Sequence, residues 1–247
     1  MKILIIILLF ISISCYSQKF RNYYDFRDGS GTTLTDAMGS NNGTLAGTST
    51  APTWANTNKY VRFTGGNAAA GDRGRINFTQ SDYNYTYNAP FTWSVTFRSS
   101  KSDALIHWVS GNYDGASALY NINSYLDASE FTNTGGSCAS SSQTKIYQGN
   151  VNLCDGKWHT ITMISSGSNT LTVYVDGQPK TLTTNNNQTS GNFWTAVFKY
   201  TLGACWNQVG SNYRWDFTGD ICRSYNSAVA LTPADIQNQN NEFLIIQ

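Results

Sequence analysis

The chain has 247 residues, and its 16 basic and 15 acidic side chains leave a formal net charge of +1 at pH 7. This near balance excludes the concentrated positive charge with which proteins bind nucleic acids. Charged residues make up only 13% of the sequence, and Asn, Thr, Ser, Gly and Tyr fill the polar positions instead, as in strand-rich extracellular proteins.

Residues 1–17 have the pattern of a secretory signal peptide. The basic residue Lys2 precedes the run Ile3–Ile13, which is almost wholly apolar. This run is too short to span a bilayer. We therefore expect cleavage after Ser17 and export of a secreted or cell-surface protein whose mature chain has no membrane span. Lipid attachment at Cys15 is the alternative.

Short runs that alternate apolar and polar residues recur along the rest of the chain, with Gly, Asn, Asp and Ser between them. In Phe91–Phe97 every second residue is Phe, Trp or Val, which is the pattern of a strand with one face in a core. Such runs, without a helical period between them, predict an all-β fold, an antiparallel β-sandwich, in a single domain of residues 18–247. The predicted strands are Tyr60–Phe63, Arg75–Phe78, Phe91–Arg98, Ala104–Ser110, Ala118–Ile122, Thr144–Gln148, Trp158–Ser165, Thr170–Val175, Phe198–Ala204 and Trp215–Tyr225.

The most informative strands lie in the middle of the chain. Asp155–Ile164 and Leu171–Lys180 both alternate, and the second contains the dipeptide Asp176–Gly177. Asp-Gly supplies the positive φ angles of a tight hairpin turn. We therefore predict a turn at these two residues.

One short helix is predicted near the end of the chain, over Leu231–Gln237. Thr232 is a favourable N-cap, and Pro233 suits the first turn. Asp235 lies at the positive end of the helix dipole.

Five cysteines are present, and Cys15 would leave with the signal peptide. The four that remain form an even number in an exported chain, which suggests two disulfides. Three pairings are possible; we favour Cys138–Cys154 and Cys205–Cys222 because each pair flanks a polar, loop-like segment. The alternative is four buried thiols.

Several segments, in order along the chain, are similar to laminin-G-like, concanavalin-A-like lectin domains. The central signature joins Asp155–His159 to Leu171–Gly177. The resemblance implies a concanavalin-A-like jelly roll, a fold that carries many functions. The segment Tyr113–Asn152 has no counterpart in that family. The other matching segments are Tyr24–Leu45, Tyr60–Gly65, Phe91–Phe97, Leu202–Ala204, Phe217–Ile221 and Tyr225–Ile236.

The sequence offers little for catalysis. Retaining glycosidases of this shape need two neighbouring carboxylates, whereas the only two glutamates are Glu130 and Glu242, far apart in sequence. No nucleophile elbow or zinc-binding motif is present. We interpret His159, part of the central signature, as a structural residue.

Sugars stack on Trp or Tyr and pair with Asn, Asp and Arg, and three aromatic clusters offer these groups: Tyr83–Tyr87, Asn192–Trp194 and Trp206–Trp215. In the third, Trp206 and Trp215 could instead be ordinary packing residues. The predicted ligand-binding residues are Trp206, Asn207, Tyr213, Arg214, Trp194 and Tyr85.

A calcium ion is the one cofactor that the resemblance implies, held between a loop and the last strand. The loop would offer Asp36 with the amides of Asn41 or Asn42, and the strand would offer Asp220. The alternative is that Asp36 caps a turn through its own backbone.

Together these features predict a secreted, non-catalytic module that binds glycan or another extracellular partner in adhesion. One alternative is a structural component of a cell surface or virus particle that recognises no sugar. The other is a polysaccharide-degrading enzyme with an atypical Asp, His or Tyr site.

Overall fold

A computed structural model gives the fold of the chain. It describes residues 19–39, 41–47, 51–55, 59–65, 73–78, 90–100, 105–111, 122–126, 131–135, 147–148, 153–167, 171–180, 183–184, 197–207 and 212–246. The predicted signal peptide, with Cys15, lies outside these ranges.

Strands dominate the part of the chain that the structure describes, and one helix, α1 (Pro233–Ile246), follows them. In chain order the strands are β1 (Asn22–Tyr24), β2 (Thr33–Leu34), β3 (Gly43–Ala46), β4 (Thr53–Ala55), β5 (Tyr60–Thr64), β6 (Arg75–Phe78), β7 (Phe91–Arg98), β8 (Leu105–Gly111), β9 (Ile122–Leu126), β10 (Phe131–Gly135), β11 (Tyr147–Gln148), β12 (Trp158–Ser165), β13 (Leu171–Val175), β14 (Gln178–Lys180), β15 (Thr183–Thr184), β16 (Val197–Leu202), β17 (Ala204–Asn207), β18 (Asn212–Asp216) and β19 (Thr218–Ser227).

The strands form two large antiparallel sheets, which confirms the predicted all-β fold. The eight-stranded sheet runs β14-β13-β12-β7-β19-β5-β4, and β1 also pairs with β19. The seven-stranded sheet runs β10-β9-β8-β16-β6-β3-β2. Two short ribbons, β11 with β15 and β17 with β18, lie outside both sheets.

The main core is formed by the alternating apolar residues that the sequence pattern identified. Trp93, Val95 and Phe97 of β7 are fully buried, and they lie in one cluster with Ile161 and Met163 of β12. These positions share one face of the sheet because they pair across the strands, Val95 with Ile161 and Trp93 with Met163. Burial of this face is the main favourable contribution to folding.

The opposite face of the eight-stranded sheet is also buried, against α1. Ile236 of the helix packs with Tyr225, Tyr174 and Ile164 of the sheet in a second, smaller cluster. Beside it, the outward residues of β7 and β12 are hydroxyls that bond in pairs across the strands. Ser94 lies 2.8 Å from Thr162, and Thr96 lies 2.9 Å from Thr160, between side-chain oxygens.

The predicted hairpin turn at Asp176–Gly177 is confirmed. Both residues have positive φ angles, 52° and 75°, and they connect β13 to β14. In β13, Val173 and Val175 face the main core, while Tyr174 faces α1.

The C-terminal helix is confirmed and is longer than predicted, because it continues past Gln237 to Ile246. Its start is the predicted one: Asp235 N–H donates to Thr232 Oγ1 (3.2 Å), and Thr232 N–H donates to Asp235 Oδ2 (3.0 Å). The Asn-rich second half has weak helix propensity. Packing on the sheet overrides this preference, since Gln239 is buried there.

Several predicted strands have different bounds in the structure, and Phe198–Ala204, for example, is divided between β16 and β17. Trp215–Tyr225 is divided between β18 and β19, because Phe217 turns into the core and its N–H donates to Gly203 O at 2.8 Å. Of the strand predicted at Ala118–Ile122, only Ile122 lies within the described residues, where it is the first residue of β9.

Cys222 contradicts one of the predicted disulfides. It is a buried free thiol in β19, and its Sγ donates to the Thr96 carbonyl oxygen of β7 at 3.7 Å. The Cys205–Cys222 bond is therefore not formed. Burial raises the pKa of Cys222 to about 12, which makes this thiol unreactive. The pair Cys138–Cys154 stays a prediction, because Cys138 lies outside the described residues.

No helix in the described ranges is both long enough and apolar enough to cross a membrane.

Candidate functional site

The ribbon formed by β17 and β18 carries four of the predicted ligand-binding residues. Trp206 pairs directly with Tyr213, and Asn207 pairs with Asn212. Directly opposed residues of an antiparallel pair share one face, and neighbouring pairs alternate between faces. Trp206 and Tyr213 therefore lie together on one face of the ribbon.

The other two predicted residues lie on the opposite face. Asn207 follows Trp206 in β17, and Arg214 pairs with Cys205. The ribbon thus divides the predicted set into an aromatic face and a polar face. The two remaining residues of the set, Trp194 and Tyr85, lie outside the described ranges.

The loop predicted to bind calcium is held by hydrogen bonds to Asp36. Its buried carboxylate accepts from Tyr23 N–H and Met38 N–H on Oδ1, at 2.9 and 3.0 Å. On Oδ2 it accepts from Asn22 Nδ2 and Asn41 N–H, at 2.7 and 3.1 Å. Four N–H donors thus surround this carboxylate.

The amide of the neighbouring Asn42 is also used, since its Oδ1 accepts from Asp36 N–H at 2.9 Å. Asp220 of β19 has a separate set of partners, Arg62 of β5 and Arg98 of β7. A calcium ligand must have oxygen lone pairs available for the ion. Here the lone pairs of the Asp36 carboxylate already accept hydrogen bonds from N–H groups. As arranged, Asp36, Asn42 and Asp220 do not fit a calcium ion, and calcium binding stays a prediction that a titration followed by thermal melting would test.

Asp220 belongs to a row of side chains that crosses the eight-stranded sheet. It pairs with Arg62 of β5 on one side and with Arg98 of β7 on the other, and Arg98 in turn pairs with Trp158 of β12. We call Arg62, Asp220, Arg98 and Trp158 the outer-face row. It lies on the face of the sheet that α1 partly covers, next to Phe243 of the helix.

The two arginines of the row hold the Asp220 carboxylate between them. Arg62 Nε donates to Oδ1 at 2.9 Å and its Nη2 to Oδ2 at 3.3 Å. Arg98 donates to Oδ2 from both Nε and Nη2, at 3.1 and 2.5 Å. These bonds raise the pKa of both guanidinium groups above its ordinary value, so both stay charged throughout the physiological range.

Aromatic rings fix the position of Arg98. Its Cζ lies 4.7 Å from the Trp158 ring centroid and 5.3 Å from that of Tyr60. The two rings meet edge to face, 5.7 Å apart. Cations over aromatic faces are attracted by the ring quadrupole, and the guanidinium is therefore held in one orientation.

The sequence contained a partial signal for the outer-face row. Tyr60 and Arg62 are two residues apart in a predicted strand and so share a face. Alternation does not show which strands lie beside β5. The sequence alone therefore does not indicate that Arg98 and Asp220 are neighbours of Arg62. Strand order supplies that information.

His159 is held on both ring nitrogens by carboxylates. Nδ1 lies 2.8 Å from Asp176 Oδ2 in the hairpin turn, and Nε2 lies 3.0 Å from Asp155 Oδ1 before β12. The bond to Asp176, followed by that to Asp155, raises the His159 pKa against the opposing effect of burial. The Lys157 N–H and the His159 ring hold the pKa of Asp155 well below its ordinary value.

Two aspartates near the start of the described chain, Asp25 and Asp28, have structural partners. Asp28 accepts from Thr35 N–H at 2.8 Å and also bonds its hydroxyl. Asp25 lies 3.6 Å from Arg27. Among the described residues, no group of three or more His, Cys, Asp and Glu is arranged to hold a metal ion.

A family model for the laminin G domain matches residues 97–223. Among curated proteins, none matches the sequence significantly.

Several solved structures share the fold. Domain 4 of AbnA, a GH43 extracellular arabinanase from Geobacillus stearothermophilus solved with arabinotriose, has a TM-score of 0.62 and 18% identity over 89% of this chain and 97% of that one. Trypanosoma rangeli sialidase has a TM-score of 0.58 and 15% identity, and the match covers 89% of this chain and 32% of that one.

A third structure, of botulinum neurotoxin type C, is described as dependent on two ganglioside molecules for cell entry. It has a TM-score of 0.60 and 14% identity, over 93% of this chain and 52% of that one. This chain therefore spans about a third of the sialidase and about half of the toxin chain. At sequence identities of 14–18%, the likeness to these three structures shows a shared fold and no more.

Proposed function

Since this chain belongs to the laminin G domain family, we propose that it is a non-catalytic module that binds carbohydrate outside the cell. The observation that carries the proposal is the pairing of Trp206 with Tyr213 on one face of the β17–β18 ribbon. Two aromatic side chains at opposed positions can hold successive sugar rings by stacking on their C–H faces.

Two structural neighbours support a glycan as the partner. The arabinanase domain was solved with arabinotriose, and the neurotoxin is described with gangliosides. Both share the sandwich, and the arabinanase domain matches over nearly its whole length. The fold is therefore suited to present a sugar-binding surface.

The absence of catalysis is part of the proposal. The chain has only two glutamates, Glu130 and Glu242, and the sequence has no pair of glutamates close together on one strand, as a retaining glycosidase of this shape would use. Among the described aspartates, Asp28 and Asp220 are engaged by Thr35 and by two arginines. We propose that the chain is exported through the signal peptide at residues 1–17 and acts as a secreted or surface-bound module.

The test is a glycan array probed with the purified mature chain, residues 18–247, and with single variants. We expect Trp206→Ala and Tyr213→Ala each to weaken binding about tenfold or more, because each removes one stacking surface. Arg214→Ala is the matched control, since it changes the opposite face of the same ribbon.

An array on which the intact chain binds no glycan would contradict the proposal and favour a structural role. Loss of binding in Arg214→Ala as large as that in Trp206→Ala would place the site away from the aromatic face. Release of reducing ends from any bound polysaccharide would show an enzyme instead.

A further inference from the structure

The outer-face row carries more positive charge than its structural role requires. Asp220 is 7% exposed and accepts four hydrogen bonds from two arginines. A single guanidinium can satisfy a carboxylate with two parallel bonds. The second arginine leaves the row with a net positive charge.

The arginines also have donors that Asp220 does not use, on side chains that are partly exposed. The side chain of Arg62 is 50% exposed and that of Arg98 is 32% exposed. All four bonds to Asp220 come from Nε and Nη2 of the two arginines, so this carboxylate leaves Nη1 of each unused. Lys59, next to Tyr60 in the chain, is a further exposed cation.

The row is rigid, as a binding site should be. Arg98 is fixed between the Tyr60 and Trp158 rings, and Arg62 Nη2 also bonds Tyr60 Oη at 3.1 Å. Trp158 in turn contacts Phe243 of α1 edge to face, 6.4 Å between centroids. Donors held in place before binding lose little conformational entropy when a ligand arrives.

We propose that the outer-face row is a second ligand site, which binds the carboxylate of an acidic saccharide through the outward donors of Arg62 and Arg98. A planar carboxylate matches the fork of a guanidinium, which is why arginine recognises this group well. The positive charge of the row itself supports the carboxylate as ligand. The inference that this carboxylate belongs to a saccharide rests on the proposed function. The ribbon of Trp206 and Tyr213 has no role in this site.

The first measurement is calorimetric titration of the mature chain with trigalacturonate at low salt. The control ligand is the same trisaccharide with its carboxylates reduced to alcohols. We expect binding of the acidic form that weakens as salt is added, because exposed charges are screened, and no binding of the reduced form.

Two variants of the row are expected to change this affinity in opposite directions. Arg62→Gln removes one cation but leaves Arg98 paired with Asp220, and we expect about tenfold weaker binding of trigalacturonate, as for the loss of a charge-assisted hydrogen bond. Asp220→Asn removes the internal carboxylate that competes for both guanidiniums, and we expect binding about threefold tighter or more. Arg62→Lys keeps the charge without the fork and should lie between the intact chain and Arg62→Gln.

A structural role for the row predicts a different result. If Arg62→Gln lowers the melting temperature while the affinity for trigalacturonate is unchanged, the row is only an ion pair and the proposal is wrong. It is also wrong if the intact chain fails to bind trigalacturonate at low salt, or if the reduced trisaccharide binds equally well. If a sulfated trisaccharide binds more tightly than trigalacturonate and depends equally on Arg62, the site recognises a sulfate and the proposal of a carboxylate ligand is wrong.

The two sites can fail separately. Arg62→Gln should leave binding of neutral glycans unchanged, because Arg62 is not part of the β17–β18 ribbon. If Asp220→Asn does not fold, the comparison of Arg62→Gln with Arg62→Lys decides the question, because both keep the pair of Arg98 with Asp220.

Discussion

His159 joins two parts of the chain through its ring. One carboxylate, Asp155, precedes β12, and the other, Asp176, lies in the turn after β13. Asp176 also accepts from Thr160 N–H at 2.8 Å. The Asp-Gly turn therefore has a second role besides reversing the chain: it fixes the histidine at the start of the neighbouring strand.

The raised pKa of His159 predicts a loss of stability at alkaline pH. A group whose pKa is higher in the folded chain stabilises the fold fully below its unfolded value, here 6.5, and loses this contribution as the pH rises through the folded value. We expect the melting temperature of the intact chain to fall more between about pH 5.5 and about pH 9 than that of His159→Gln. Differential scanning fluorimetry would measure the difference.

Asp176→Asn is the matched variant for this effect. Asn tolerates a positive φ, and residue 176 has a φ of 52°, so the turn is kept while the charge is lost. We expect the His159 pKa, followed by NMR, to move down towards its ordinary value. An unchanged pKa in this variant would contradict the assignment of Asp176 as the main cause of the shift.

At the scale of elements, α1 closes the outer face of the eight-stranded sheet. Arg223 of β19 is buried beneath it, with Nη1 donating to Gln239 O at 2.7 Å and Cζ lying 4.9 Å from the Phe243 ring centroid. At the N-terminal end of the helix, Lys19 Nζ lies 2.6 Å from Asp235 Oδ1. The helix is thus fixed to the segment before β1 at its first turn and to β19 further along.

Packing of Ile236 predicts the contribution of the helix to stability. Ile236 is 2% exposed, within the cluster of Tyr225, Tyr174 and Ile164. We expect Ile236→Ala to lower the free energy of unfolding by about 2–4 kcal/mol, because it leaves a cavity in a packed cluster. Chemical denaturation followed by tryptophan fluorescence would measure this.

Asn238→Ala on the same helix is the control. Asn238 is exposed, and replacing it by Ala raises helix propensity by roughly 0.5 kcal/mol, so the variant should be as stable as the intact chain or slightly more stable. Equal destabilisation by both variants would mean that helix formation, and not packing, limits stability.

Much of the fold could be predicted because alternation is a local signal. Phe91–Arg98 and Trp158–Ser165 have the predicted bounds. In both strands bulky residues occupy alternate positions along the chain, and these positions face the core. Strands β9 and β10 could not be identified in this way: in β10, Phe131–Gly135, the four residues after Phe are Thr, Asn, Thr and Gly. Their position is set by pairing within the seven-stranded sheet, which is a non-local property.

The candidate sites were less predictable than the fold, for the same reason. The aromatic side chains of Trp206 and Tyr213 predict sugar binding. Whether Arg214 lies on the same face as these two residues depends on the register of β17 against β18. Arg62 and Arg98 come together only because Asp220 of β19 lies between their strands. Composition identified residue types suited to sugars, and strand order decided which of them are neighbours.

For the whole molecule, β19 is the strand on which the eight-stranded sheet depends. It pairs with β7 along one edge and with β5 and β1 along the other. Asn226 Nδ2 in β19 donates to Asn22 Oδ1 in β1, 204 residues earlier in the chain, at 2.8 Å. Contacts of this separation make folding slow, because long loops must close before they form.

Removal of β19 should therefore abolish folding. We expect a chain that ends at Phe217 to lack a cooperative thermal transition, because β1, β5 and β7 lose their shared partner. A chain that ends at Ala230 keeps β19 but lacks α1, and it should still melt cooperatively at a lower temperature. Circular dichroism of both chains would show this, and a folded sheet in the shorter chain would contradict the assigned strand order.

The late position of β19 has a consequence for the nascent polypeptide. Three strands made early have no neighbour on one edge until the ribosome has synthesised nearly the entire chain. During that time the sheet cannot close. The same open edges are templates for pairing with other chains, so a stalled or truncated product is expected to aggregate.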